Sequence, residues 1–323
     1  MSFKHYERVV KEKVGYSWYD GEAHPEFVAK VLKRPITEIR GRSYELPKET
    51  YKAWVEATDM DMIHGVFMWR WGRIDTIDKW GRKVFRKENM KFGEEPVEPD
   101  WKAFEKRLEE LSEIKGDRGL EWTLYNPTML VSNGFGMENF CFAIKDQRED
   151  FKFWLEQIDE VVQKELELIL KYPVDVVKIT QIFATKQGLL YDSEWEEVEL
   201  DYVKRRCERI KKAGRMVSIH CDGVTDWLVD RFISAGVDVW RGWEGTNWEK
   251  DFQKWGKKIT FHGTVLVDDL MRQEPDMIKR LVQSRAKCGS QILASAHDFG
   301  QTGISFNNFK AVMEEARRFR DGN

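Results

Sequence analysis

The chain has 323 residues, of which 41% are hydrophobic and 34% charged, so it is long and apolar enough to bury a large core. Its net charge of −3, from 53 basic and 56 acidic residues, provides no basic face, and we expect no nucleic-acid partner. No run approaches the ~18 apolar residues of a membrane span, and the first residues lack a signal-peptide core, so we expect a cytoplasmic protein without a membrane segment.

The first 58 residues alternate short helix-like pieces with turns, and we predict an irregular helical region there. Residues 16–25 are aromatic and rich in turn residues, and no strand is predicted in them. The first clear strand is expected near residue 61. Prolines and acidic residues in 91–99 indicate a solvated connection that is too short to mark a domain boundary. We therefore expect a single domain over residues 1–323.

From residue 119 onward apolar strands alternate with amphipathic helices, and the strongest helical pattern, with a period near 3.6, covers 150–170. This order predicts a parallel sheet with right-handed crossovers. No GxGxxG loop follows the first strand, which disfavours a dinucleotide-binding sheet and favours an α/β barrel whose first strand is degenerate or missing. Strands are predicted near residues 61, 120, 174, 216, 237, 259 and 291. Helices are predicted over residues 25–32, 51–58, 101–114, 150–170, 195–213, 224–235, 248–255, 268–287 and 307–320.

Three of the six histidines close an apolar strand. Residues 215–223 read Arg-Met-Val-Ser-Ile-His-Cys-Asp-Gly, so one strand carries an imidazole, a thiol and a carboxylate to its carboxyl end. His262 and His297 end two later strands in the same way. In a barrel these ends meet at one mouth, where active sites are built. We predict that His220, Asp222 and His297 face one cavity, with His262 at its wall.

Other side chains are expected around the same mouth. Lys178 alternates with apolar residues, so it points into the barrel. An inward lysine can be a Schiff-base nucleophile, although an ion pair with Glu244 or Asp222 is the simpler interpretation. Asn126 and Glu244 each follow a predicted strand and are candidate substrate contacts.

The chain contains 14 tryptophans, which is an excess. Packing between helices explains them in part, but some can line a pocket for a flat, apolar ligand. Trp69 and Trp243 are the leading candidates for such a substrate pocket, with Trp71 and Trp240 beside them in the sequence.

Four short stretches, in the same order along the chain, resemble segments of the uroporphyrinogen decarboxylase superfamily. Residues 77–82 resemble its "DEWG" loop, and residues 136–140 its "G-M-E-x-F" segment. Residues 218–223 resemble its "H-x-[CD]-G" strand end, and residues 295–297 its "P-S-H" segment. The superfamily also contains zinc-dependent, corrinoid-linked methyltransferases and, more remotely, cobalamin-independent methionine synthase. The resemblance implies a distorted (β/α)8 TIM barrel, here with an irregular N-terminal extension over residues 1–58.

The resemblance does not settle the reaction, because one fold serves many functions. A porphyrinogen decarboxylase of this superfamily carries an arginine-rich "F-R-Q-A-G-R" loop near its N-terminus. Arg34, Arg40 and Arg42 lie in that region, but in a context that does not match. True uroporphyrinogen decarboxylation is therefore disfavoured.

The methyltransferases of the superfamily hold zinc through a His-x-Cys pair and a distant cysteine, and the zinc activates a thiol. Here the order His220-Cys221-Asp222 places the cysteine one position early, and the distant cysteine is missing. A zinc site that includes His220 and Cys221 is predicted only if the strand has ended before them, because adjacent strand residues face opposite sides. A ligand set of His220, Asp222 or Cys221, Glu244 and His297 stays open, as does a purely structural Cys221.

We predict a methyltransferase of the O-demethylase type, which moves a methyl group from a small-molecule donor to cobalamin on a corrinoid protein. His220, Asp222, His297 and Lys178 are the predicted catalytic residues, and His262 is a predicted substrate contact. A decarboxylase of a small or tetrapyrrole carboxylate is the first alternative. A non-catalytic barrel that binds a ligand or a corrinoid is the second. A homodimer is left open.

Overall fold

Eight parallel strands form a nearly closed barrel surrounded by helices in the computed structural model. This architecture confirms the predicted (β/α)8 class. The described residues are 2–67, 76–77, 83–84, 99–135, 140, 144, 148–181, 193–221 and 223–322.

The barrel strands are short, and each is buried on both faces. In chain order they are β1 (Tyr16–Trp18), β2 (Met62–Val66), β3 (Gly119–Tyr125), β4 (Val176–Gln181), β5 (Met216–Cys221), β6 (Val239–Arg241), β7 (Thr260–His262) and β8 (Gln291–Leu293). Their order in the sheet is β1-β8-β7-β6-β5-β4-β3-β2. A separate antiparallel ladder joins Thr76–Ile77 to Lys83–Val84.

Helices follow the strands and cover the outside of the barrel, in agreement with the sequence pattern. The α-helices in the described ranges are Ser2–Glu7, Pro25–Leu32, Lys48–Thr58, Trp101–Lys115, Pro127–Phe135, Arg148–Ile169, Ser193–Lys212, Val229–Ala235, Trp248–Trp255, Val267–Arg272, Pro275–Ala286 and Phe306–Arg320. A π-helical turn covers Arg8–Glu12, and 3-10 turns cover Ile36–Glu38, Ser43–Glu45 and Asp226–Leu228. No helix in these ranges has the length and apolar character that a bilayer span requires.

The first strand is present, which corrects the prediction that it is degenerate or missing. β1 has three residues and lies inside the region predicted as an irregular extension, where Ser17 pairs with Ile292 of β8. At its other edge the amide of Asp61 donates to the Trp18 carbonyl at 2.9 Å. The Asp61 carboxylate also accepts from the Ser17 hydroxyl at 2.7 Å and the Trp18 amide at 3.1 Å. Asp61 thus joins β1 to the start of β2 and nearly closes the barrel.

The segment predicted as one helix over 268–287 is two helices. Val267–Arg272 ends at Gln273, whose backbone is extended, and Pro275 begins the next helix. The proline ring disfavours a helical conformation at the preceding residue, Glu274, so the chain breaks there.

Two strands end in glycines that bring the backbone close to its neighbour. A Cβ atom on Gly242, after β6, would overlap the carbonyl oxygen of Cys221, and φ there is +90°. A Cβ atom on Gly263, after β7, would lie 2.6 Å from the Cα atom of Ala296. Glycine is the residue that fits both the left-handed conformation and this approach. The ends of β5 to β8 therefore converge tightly on one mouth.

Candidate active site

Three functional candidates lie side by side in one layer of the barrel. The sheet register pairs His220 of β5 with Arg241 of β6, and Arg241 with His262 of β7. Their side chains point into the barrel, since they contact strands that are not their neighbours. His262 Nε2 lies 3.1 Å from the main-chain oxygen of Tyr19, just after β1, and Arg241 contacts Asp20 in the same segment.

The end of β8 brings a third histidine, His297, to this layer. The rings of His220 and His297 meet edge to face, with their centroids 4.7 Å apart and an angle of 84° between planes. His297 Nδ1 lies 2.6 Å from the Asp298 carboxylate, whose other oxygen accepts from the Gly300 amide at 2.7 Å. Burial alone would raise the pKa of Asp298, but the hydrogen bond and charge of His297 outweigh it and lower that pKa. The carboxylate therefore stays ionised and stabilises a protonated imidazole.

A buried ion pair lies beside the histidines. Arg241 Nη2 is 3.3 Å from Asp20 Oδ1, and the two side chains are only 2% and 3% exposed. The same nitrogen donates to the main-chain oxygen of His297. Burial raises the pKa of Asp20 to about 7, although Arg241 opposes the rise.

A second ion pair, between Arg42 and Glu22, lies towards the rim. A Cβ atom on Gly300 would lie 2.9 Å from Asp298 Oδ1 and 3.3 Å from Glu22 Oε2, so these groups converge on one point. Burial and the charge of Asp298 raise the pKa of Glu22, and Arg42 opposes them. Arg42, which does not match the family's arginine loop in sequence, nevertheless reaches the site.

Lys178 lies one layer deeper in the barrel. It pairs with Ser218 in the register, two residues before the position of His220. Its Nζ is 3.9 Å from Glu121 Oε1 and 3.5 Å from His64 Nε2. Burial lowers the pKa of Lys178, and Glu121 partly offsets this. Among the described residues the partner of Lys178 is Glu121 and not the predicted Glu244, and the other predicted partner, Asp222, lies outside those residues.

The deeper layer also contains neutral, hydrogen-bonded side chains. The Tyr19 hydroxyl donates to Glu121 at 2.8 Å, and His64 Nε2 lies 2.7 Å from the Thr123 hydroxyl. Burial, together with Lys178 and Arg241, lowers the pKa of His64 well below its usual value, and burial does the same for His262. Both rings are therefore neutral at physiological pH.

The structure thus brings four predicted residues, His220, His262, His297 and Lys178, into one group that we call the site cluster. It also contains residues that complete the charge network. These are Asp20, Glu22, Arg42, Glu121, Arg241 and Asp298. Some predicted positions lie outside the described residues. These are Asp222, Trp69, Trp71 and most of the segments 77–82 and 136–140 that resemble the superfamily.

Three other predicted substrate contacts bond or pack against residues outside the cluster. Asn126 is buried after β3 and donates from Nδ2 to Glu199 at 3.0 Å. Glu244 accepts from the Val267 amide at 3.2 Å, at the start of a helix. Trp243 is fully buried, with its ring centroid 6.2 Å from that of Trp248.

The tryptophans of β6 and the loop after it belong to the layer between barrel and helices. Trp240 alternates with the inward-facing Arg241 and contacts the ring of Phe261, with centroids 5.1 Å apart. The Trp243 ring lies 5.2 Å from the guanidinium carbon of Arg285. This packing is typical of core residues, so it lends no support to an aromatic substrate pocket at Trp240 or Trp243.

The cysteine of the predicted metal pair faces away from the cluster. β5 continues through Cys221, which is fully buried in the hydrophobic core, whereas His220 points into the barrel. Among the described residues no group of three His, Cys, Asp or Glu side chains could hold a metal ion. The described residues therefore do not form the zinc site that the resemblance implies, and zinc stays a prediction, since the candidate ligand Asp222 lies outside them.

We expect Cys221→Ala to leave the zinc content and activity of the purified protein unchanged. The free energy of unfolding should fall by about 1 kcal/mol, because a buried sulfur is lost from the core. Elemental analysis and chemical denaturation measure the two quantities, with His220→Ala as the comparison. Loss of bound zinc in Cys221→Ala would instead place the thiol in the site.

The family model for uroporphyrinogen decarboxylase (URO-D) matches residues 122–319, which is more than half of the chain. The chain belongs to the URO-D family. This confirms the resemblance predicted from the sequence. Comparison with curated protein sequences gave no match.

Solved structures show how far the fold of this URO-D chain is shared. It is similar to a methyltransferase from Methanosarcina mazei, with 13% identity, 98% of each chain covered and a TM-score of 0.75. It is also similar to a sugar phosphate isomerase/epimerase from Parabacteroides distasonis, with 10% identity, 95% and 94% of the two chains covered and a TM-score of 0.42. The first of these similarities shows a shared fold along the whole URO-D barrel.

Several cluster residues of this URO-D chain were missed in the sequence. Glu121 and Arg241 are single charges within apolar strands, the same signal that identified Lys178, and it could have found them. Asp20 follows the three-residue β1, which was not predicted as a strand, so no signal pointed to it. Glu22 and Arg42 lie in irregular segments, where their partners depend on the tertiary structure.

Proposed function

We propose that this chain is a methyltransferase that moves a methyl group from a small donor to a corrinoid carrier protein. Two findings support the proposal at the level of the family. The chain belongs to the URO-D family, and along 98% of its length it is similar in fold to a protein described as a methyltransferase. The observation that carries the choice between reactions is the charge balance of the site cluster.

Each cation of the described site cluster has a carboxylate beside it. The pairs are Arg42–Glu22, Arg241–Asp20 and Lys178–Glu121. The remaining carboxylate, Asp298, is held by His297. A decarboxylase has to bind a substrate carboxylate, which favours a cation that the protein has not already neutralised. The balanced cluster therefore favours a donor without a carboxylate.

His297 is the residue that we assign to proton transfer. Its Nδ1 is fixed by Asp298, and its side chain is 24% exposed, so the ring is oriented and still reachable from the mouth. When the methyl group leaves an uncharged donor, the bond between its carbon and the donor heteroatom breaks, and that heteroatom needs a proton. The imidazolium of His297 supplies it from Nε2, and Asp298 stabilises the charged ring before the transfer.

The corrinoid, when its carrier is docked, supplies the nucleophile that accepts the methyl group. The chain's own part is to hold the donor at the mouth and deliver the proton. His220 contributes by packing its ring against His297. The position of His297 near the barrel mouth suits this role, because a large carrier protein can approach the donor only from the mouth.

The test is methyl transfer from a panel of methyl ethers, methylamines and thioethers to cob(I)alamin, followed by the visible absorption of the corrinoid. Release of carbon dioxide from a matched panel of small carboxylates is measured beside it. We expect methyl transfer from an uncharged or cationic donor and no carbon dioxide release. Carbon dioxide release without methyl transfer would favour the decarboxylase, for which buried Lys178 is the supporting feature.

A further inference from the structure

Arg241 contacts two separate segments that meet at the end of β8. Its Nη2 donates to Asp20 Oδ1 at 3.3 Å and to the main-chain oxygen of His297. The first contact spans 221 positions in the sequence, and the second spans 56. Arg241 therefore connects the middle of the barrel wall to both segments at once.

Asp20 completes this connection. Its Oδ2 accepts from the amide of Ser295, and its Oδ1 accepts from the amide of Glu22, each at 3.3 Å. The segments after β1 and β8 also bond directly, since the Phe299 amide donates to the Glu22 carbonyl at 3.1 Å. The main chain around His297 is thus held from β1 and from β6.

We propose that the Arg241–Asp20 pair is a positioning device for His297, which fixes its main chain so that the imidazole meets His220 and the bound donor. Asp298 orients the imidazole ring of His297, and Arg241 donates to the main-chain carbonyl of His297. The role of His297 rests on the proposed function above, whereas its placement by Arg241 does not.

Stability alone does not account for this pair. Replacing a buried ion pair with well-packed apolar residues is often neutral or stabilising, so a charged pair at this depth is weak evidence of a stabilising role. Arg241 donates to the Asp20 carboxylate and to the main-chain oxygen of His297. These contacts indicate instead that the pair orders the segment that carries His297. A lysine would keep the charge, but its shorter side chain would not bring the ammonium to the position that Arg241 Nη2 occupies between the two acceptors.

The chain provides a matched control outside the barrel interior. Arg206, on the helix Ser193–Lys212, is also fully buried and also contacts an aspartate and a main-chain oxygen. These partners are Asp159 and the Tyr202 carbonyl, the latter at 3.0 Å. Arg206→Lys therefore makes the same chemical change without touching the site cluster.

The experiment is NMR on the full-length protein labelled only in its histidines, of which there are six. His220→Gln and His297→Gln variants assign the two site signals. We expect Arg241→Lys and Asp20→Asn each to shift the His297 and His220 signals, while the His5 signal stays in place. Arg206→Lys should leave all six signals in place. In the methyl-transfer assay, kcat of Arg241→Lys should fall by about 10- to 100-fold, since a small misplacement of a reacting group has an effect of that size.

The effects of Asp20→Asn and Arg241→Lys on kcat should not be additive. The double variant Asp20→Asn/Arg241→Lys should be no more impaired in kcat than the worse single variant, because both changes break the same pair. Folded variants with an unchanged His297 signal would overturn the proposal. Loss of folding in both single variants would overturn it too, in favour of a purely structural pair. Shifted histidine signals in a protein that transfers no methyl group from any donor would keep the positioning role and reject the proposed function.

Discussion

His297→Gln is expected to lower kcat for methyl transfer by about 10²- to 10⁴-fold, the usual contribution of a general acid. Glutamine can still accept or donate a hydrogen bond near Asp298, but it cannot deliver a proton to the departing heteroatom. The measurement is the rate of corrinoid methylation with the best donor of the panel, at saturating donor concentration. KM should change much less than kcat, because the proton is needed only in the transition state.

The control for this experiment is His5→Gln, on the N-terminal helix Ser2–Glu7, which should keep wild-type rates. A donor whose leaving group is already stable as an anion offers a second check. Such a donor should lose less rate in His297→Gln, because its heteroatom needs the proton less. An equal loss with every donor would show that His297 acts in another way than as an acid.

Lys178→Met is expected to lower the free energy of unfolding by about 3 kcal/mol, the lower end of the cost of breaking a buried pair. The substitution leaves the carboxylate of Glu121 buried, with the Tyr19 hydroxyl as a donor at 2.8 Å but without its cation at 3.9 Å. Chemical denaturation of both proteins measures the difference. Methyl transfer should persist in the folded variant, because Lys178 lies one layer below His220.

The double variant Lys178→Met/Glu121→Gln separates the charge effect from the loss of packing. Removing both charges leaves no unpaired ion, so most of the lost stability should return. Carbon dioxide release that Lys178→Met abolishes would overturn the methyltransferase proposal. It would assign Lys178 to the binding of a substrate carboxylate.

The sequence-based prediction was most accurate for long elements with a clear period. The strand predicted near residue 120 is β3, Gly119–Tyr125, and the helix predicted over 248–255 is observed at those bounds. Both patterns extend over several residues, so local alternation is enough to identify them. β1 was missed because three residues cannot establish an alternation. It becomes a strand only through its pairing with β8 and the closure by Asp61.

The same contrast applies to the site. His220, His262 and His297 could be predicted, because each ends an apolar strand and a strand end is a local feature of the chain. The charged residues around these histidines could not be predicted. The contact between Arg241 and Asp20, for example, joins positions that are 221 residues apart. The opposite orientations of His220 and Cys221 could be predicted only in part. Strand alternation makes the two side chains diverge if the strand continues through both residues, and the sequence did not show where the strand ends.

By itself, the sequence determined which side chains arrive at the carboxyl ends of the strands, since strand alternation and the glycines that follow are properties of neighbouring residues. The tertiary structure alone decided how their charges are balanced. Lys178 could have met Glu244, but the register of β3 and β4 places Glu121 one layer below the Lys178 row, and its Oε1 lies 3.9 Å from the lysine Nζ. Arg42 and Glu22 come from irregular segments, which are joined by the hydrogen bond from the Ser43 amide to the Ala23 carbonyl. Electrostatic pairing depends on distances between remote segments, and those distances exist only after the barrel has closed.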